Sequence, residues 1–150
     1  MTRTADEPRA DLIAPAQIVA VHEETPTVRE LALEVGDPRF TFRPGSWVDF
    51  FIEGVAKVGG YSICSTPSEL PKLRLAVKRS SHPPAAWCHS EAAAPGAPVR
   101  LKAGGQFNWD AEINGRAAHL LLVAGGIGIN PLYSILQAAA ETSVDALPCL

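Results

Sequence analysis

At 150 residues, with 47% hydrophobic and 19% charged positions and a formal net charge of −3, the chain has the size and apolar content of about one domain. The charge balance and the lack of a sustained basic stretch argue against nucleic acid or an anionic membrane surface as the main partner. No apolar run approaches the roughly 18 residues that span a bilayer, so a soluble protein is expected.

Cys64, Cys88 and Cys149 are odd in number, widely spaced and without a C-x-x-C pair. That argues against a disulfide framework, leaves too few ligands for a zinc or iron–sulfur site, and suits a reducing compartment. Residues 1–14 are polar, with proline and no period, and read as a loose arm. Asp6, Glu7 and Asp11 beside Arg3 and Arg9 match neither a transit peptide nor a secretory signal.

Residues 16–22 are short and β-branched, and residues 28–35 alternate, with Leu31, Leu33 and Val35 on one face and Glu30, Ala32 and Glu34 on the other. The two segments read as a half-buried antiparallel pair turned by Glu23, Glu24, Thr25 and Pro26. Gly36-Asp37-Pro38 and Pro44-Gly45 are further turns, the second leading into an aromatic and β-branched strand over residues 46–52. Residues 72–78 alternate cleanly, and Val99 and Leu101 repeat the pattern against Arg100 and Lys102. Short strands at turn-punctuated intervals predict an all-β, six-stranded antiparallel barrel over residues 15–115, with a short helix over residues 84–90 capping it.

A polar connection over residues 106–118, carrying Asn108, Asp110, Asn114 and Gly115, leads to a different pattern. Leu120, Leu121, Leu122 and Val123 read as a strand buried on both faces. Gly125, Gly126 and Gly128 then let the backbone turn, and Asn130 as N-cap with Pro131 as first helical residue opens a helix through Leu136. Free N–H groups at such a start can accept the phosphates of a nucleotide, whereas the plainer reading is a βα turn using glycine for shape. The plan is a barrel followed by the first βα unit of a truncated α/β domain over residues 116–150. No later strand is available to pair with residues 120–123, which favours a fragment over a barrel or partner that covers the strand.

Pro44-Gly45-Ser46-Trp47-Val48, Tyr61-Ser62-Ile63-Cys64-Ser65 and Gly125-Gly126-Ile127-Gly128-Ile129-Asn130-Pro131, in that order, resemble the ferredoxin reductase-like family of flavin and nicotinamide oxidoreductases. The resemblance covers roughly residues 16–140. It implies an FAD-binding FR-type barrel followed by a NAD-binding domain, with NAD or NADP and FAD or FMN as cofactors. The implied reaction passes hydride from nicotinamide to flavin and then electrons to an unknown acceptor. Tyr61 would cover the isoalloxazine, Ser62 would hydrogen-bond its N5 edge, Ile63 would join them in binding the cofactor, and His82 is placed to meet phosphate. The dinucleotide would lie along Gly125, Gly126, Ile127, Gly128, Ile129 and Asn130. The resemblance also implies a mitochondrial location, with a cytoplasmic one as the alternative.

Three positions depart from the family pattern. Gly59 stands where the family has a phosphate-binding arginine, and Lys57 offers only a flexible charge from another position. The stretch Ser81-His82-Pro83-Pro84-Ala85 lacks the glycine and hydroxyl that open the short helix, and Ile127 replaces a hydroxyl residue. These departures support a competing reading: a flavin-less barrel serving as a binding or assembly module, or an inactive truncated form. His22, His82, His89 and His119 fit no metal spacing. No nucleophile triad or carboxylate pair suggests hydrolysis, and no Lys-Ser/Thr pair follows the glycines as a P-loop requires.

Overall fold

The computed structural model describes residues 6–110, 112 and 119–145. Six antiparallel strands form one sheet: β1 (Ala14–Thr25), β2 (Val28–Val35), β3 (Trp47–Phe51), β4 (Gly59–Ser62), β5 (Lys72–Lys78) and β6 (Pro98–Gly104), in the order β4-β3-β6-β1-β2-β5. β1 runs further at both ends than residues 16–22. The turn shrinks accordingly to Pro26-Thr27, a length that suits a tight hairpin. A register shift between Ile18 and Ala20 lets β1 serve two neighbours, β2 along its length and β6 at its start.

The expected closed barrel does not form. β4 and β5 are the two edges of an open sheet, and among the described residues they are linked by the isolated Ile63↔Leu75 bridge and the Cys64 N–H to Arg74 carbonyl bond of 2.9 Å. The cause is local. β4 is four residues long, and the chain leaves it at Ile63 for the turn Pro67–Glu69, so no continuous ladder with β5 is set up. The curved inner face still encloses one apolar core, with Ile18, Leu31, Leu33, Phe50, Leu75 and Leu101 fully buried. Helix α1 (Pro83–Cys88) is shorter than residues 84–90 and presses Pro84, Ala85 and Cys88 into that core.

The arm is not loose over its described part. Arg9 bridges to Gly104, Ala10 N–H reaches the Ala103 carbonyl at 2.9 Å, and Arg9 pairs with Asp49 at 2.7 Å while lying over Trp47. Residues 1–5 of the arm, Asn114 and Gly115 of the connection, and Cys149 lie outside the described residues.

Residues 120–123 do not form the expected buried strand. Leu121 and Val123 are 87% and 81% exposed, and Leu122 alone of the four packs inward, beside Trp109. A strand exists only by pairing with another, and no described segment pairs with this one. The helix half of the βα unit is present. A single 3-10 turn, Gly126–Gly128, leads into α2 (Ile129–Asp145), whose Ile135 and Ala138 pack on Trp109. Asn130 and Pro131 are therefore second and third in α2, and Asn130 is not its N-cap.

Candidate functional site

The unclosed seam between β4 and β5 is where α2 docks. Asn130, Ser134, Gln137 and Glu141 fall at i, i+4, i+7 and i+11, one face of a helix. Asn130 Nδ2 donates to the Ala76 carbonyl at 2.8 Å, Ser134 Oγ to Ser65 at 2.7 Å, and Gln137 Nε2 to Cys64 at 2.8 Å. The Glu141 carboxylate accepts from Thr66 Oγ1 at 2.9 Å and Ser68 Oγ at 3.1 Å. Buried carbonyls need donors, and α2 supplies to this seam what a neighbouring strand would have supplied. Arg74 ties the seam further, reaching Glu69 at 3.1 Å, Glu30 at 3.6 Å and Gln137 at 3.3 Å.

Docking in this way brings the glycine turn over the sheet edge and leaves a cleft of about 330 Å³ between them. Tyr61 and Ser62 from β4, Ala76 and Lys78 from β5, Ser80 and His82 from the following loop, Ile127 from the turn and Asn130 from the start of α2 all line it. On the far side of the Asn130–Ala76 contact is a second pocket of about 550 Å³, bounded by Glu24, Glu30, Cys64, Arg74, Ile129 and Tyr133. A recess of about 710 Å³ near Arg9 and Arg43 contains no candidate residue from the sequence.

Of the candidates, Tyr61, Ser62, His82, Ile127 and Asn130 thus share one cleft, although they come from three separated segments. Ile63 is fully buried in the core behind it, and Ile129 lines the neighbouring pocket. Gly125, Gly126 and Gly128 are exposed beside the cleft, and a Cβ on any of them would meet nothing within 4 Å. Gly126 alone of the three has a positive φ, of 55°, so it is the residue whose backbone calls for glycine. Lys78 and Ser80 were not read as site residues. The outward position of Lys78 in the alternating strand was visible, but the turn that approaches it was not.

Tyr61 lies on the inner face of β4, with its ring edge-on to Phe50 at 5.6 Å and 72°. Its hydroxyl is buried against the Cys88 thiol, a weak partner, and makes no hydrogen bond of ordinary geometry. Burial makes the phenol harder to ionise and pushes the Cys88 thiol up to about 12 and the Cys64 thiol to about 11. The ring lies back over Gly59: a Cβ there would sit 2.6 Å from Tyr61 Cε2 and 3.1 Å from Pro84 Cβ. Gly59 and the inward ring are one arrangement.

The fit to a flavin is divided. Ser62, Tyr61, Ala76 and Ile127 give the cleft a mixed polar and apolar lining, of the kind that accepts a ring system. The phosphate anchors do not fit. No side chain extends from Gly59, and α1 begins with Pro83 and Pro84, neither of which has an N–H to offer.

No family model matches the chain. It is 35% identical over 135 residues to ferredoxin–NADP reductase B of Sorangium cellulosum, spanning 87% of this chain and 54% of that protein. The solved ferredoxin reductase in carbazole 1,9a-dioxygenase shares the fold, with a TM-score of 0.75 at 22% identity over 89% of this chain and 40% of that one. The chain closely matches the ferredoxin reductase-like flavin and nicotinamide oxidoreductases. It also matches oxidoreductase NAD-binding domain-containing protein 1 of Xenopus laevis, at 46% identity over 144 residues, which are 94% of this chain and 46% of that protein. The chain spans about half the length of the curated relatives it matches.

Proposed function

We propose that this chain provides the flavin-facing sheet and the first dinucleotide turn of a NAD(P)H-dependent oxidoreductase, which moves hydride between nicotinamide and flavin and then electrons to an acceptor. The observation that carries this reading is the convergence of Tyr61 and Ser62, of Lys78, Ser80 and His82, and of Ile127 and Asn130 on one cleft. A bound flavin would supply an N5 able to accept hydride. The chain's own contribution is alignment and exclusion of water. Ser62 is the hydroxyl donor for the ring edge, Ile127 and Ala76 keep that edge dry, and Asn130 fixes the turn against β5.

The test uses full-length protein with a reduced nicotinamide dinucleotide and an artificial electron acceptor. Turnover is expected, and Ser62→Ala is expected to lower kcat by about a hundredfold to a thousandfold, the range for removing a donor at a reacting centre, with dinucleotide affinity unchanged. A protein that oxidises neither NADH nor NADPH and binds no flavin would instead be a non-catalytic module, the reading that Gly59 favours.

A further inference from the structure

We infer that flavin is gripped in this cleft by its ring system and not by its phosphate, so that it enters and leaves as a second substrate. This rests on the cleft being the flavin-facing site proposed above. A phosphate is held tightly by a forked guanidinium or by several backbone N–H groups converging on it. Position 59 cannot supply the first: even an alanine Cβ there would collide with the Tyr61 ring at 2.6 Å, so no longer side chain can pass it while the ring stays inward.

The loop cannot supply the second. Pro83 and Pro84 occupy the opening positions of α1 and carry no N–H, the His82 N–H is directed to Ser80 Oγ at 3.3 Å, and Ala85 is buried and has no hydroxyl. What positive charge the cleft has comes from Lys78, with His82 beside it, and both are exposed at its mouth. Attraction through water from such groups is weak and is screened by salt. The rest of the lining, by contrast, is uncharged and mixed, with Ser62, Tyr61, Ala76 and Ile127 offering a hydroxyl and apolar surface of the kind that takes a heterocyclic ring.

The activity that follows is reduction of free flavin by a nicotinamide dinucleotide. The C4–H bond of the reduced nicotinamide breaks and its hydride forms the N5–H bond of the flavin, while a solvent proton adds at N1. The dinucleotide is oxidised by two electrons and dihydroflavin departs as product.

The deciding experiment measures the dissociation constants of riboflavin, FMN and FAD on purified full-length protein by flavin fluorescence, together with the flavin retained through gel filtration. Expected are three constants within about tenfold of one another, any FMN advantage shrinking at high salt, and less than stoichiometric flavin after filtration. FMN or FAD binding more than tenfold tighter than riboflavin, or stoichiometric retention, would overturn the inference while leaving the nicotinamide–flavin reading in place. Failure of all three flavins to bind would overturn both.

Discussion

Tyr61 places a phenol oxygen in the core with only the Cys88 thiol beside it, and an unsatisfied buried hydroxyl costs on the order of 1–3 kcal/mol. Tyr61→Phe is therefore expected to leave stability unchanged or raise it by up to about 1 kcal/mol in urea unfolding. Gly59→Ala should act in the opposite direction, by about 1–3 kcal/mol, because the new methyl must displace a ring already packed on Phe50 and also crowds Pro84. The buried thiols set a pH dependence of definite sign. Below about pH 9 Cys64 and Cys88 are neutral whether the chain is folded or not. Above it the unfolded chain loses their protons first, since the folded values lie near 11 and 12. Stability should therefore fall as pH rises from 9 towards 11. Replacing both cysteines by alanine should flatten that fall, whatever it does to stability at pH 7, and the urea midpoint followed across the range reads the difference.

At the level of elements, the docking of α2 depends on a stripe that looks solvent-facing when read alone. Asn130, Ser134, Gln137 and Glu141 are ordinary surface residues by type. Only the carbonyls left open along the β4–β5 seam make them an interface. Ser134 is fully buried, so Ser134→Ala strands the Ser65 carbonyl and should cost about 1–2 kcal/mol, less about 0.5 kcal/mol returned by the better helix former. The same contrast separates what could be read in advance from what could not. The alternation in β2 and β5 lies within each strand and was legible in the residues themselves. Closure of the sheet depends on how a four-residue β4 meets β5 across the molecule, and no local pattern encodes it. Likewise the glycine turn was legible as a turn. The arrival of Lys78 and Ser80 at the cleft depends on where α2 docks, and so does the capture of Asn130 by Ala76.

For the molecule as a whole, the apolar surface is unevenly distributed. The sheet buries one coherent core, yet Phe107, Leu121 and Val123 are exposed by 64%, 87% and 81% around a groove that also reaches Leu132. Contiguous apolar surface of this kind drives association in water, and a net charge of −3 provides little electrostatic repulsion against it. The 150-residue chain is accordingly expected to self-associate in sedimentation experiments and to bind a hydrophobic dye at that groove. Because Leu121 and Val123 project into solvent, replacing both with lysine removes the driving force without opening a cavity in the core. The doubly substituted chain should sediment as a monomer with its thermal midpoint unchanged. A midpoint lowered by several degrees would show instead that these side chains are packed within the fold.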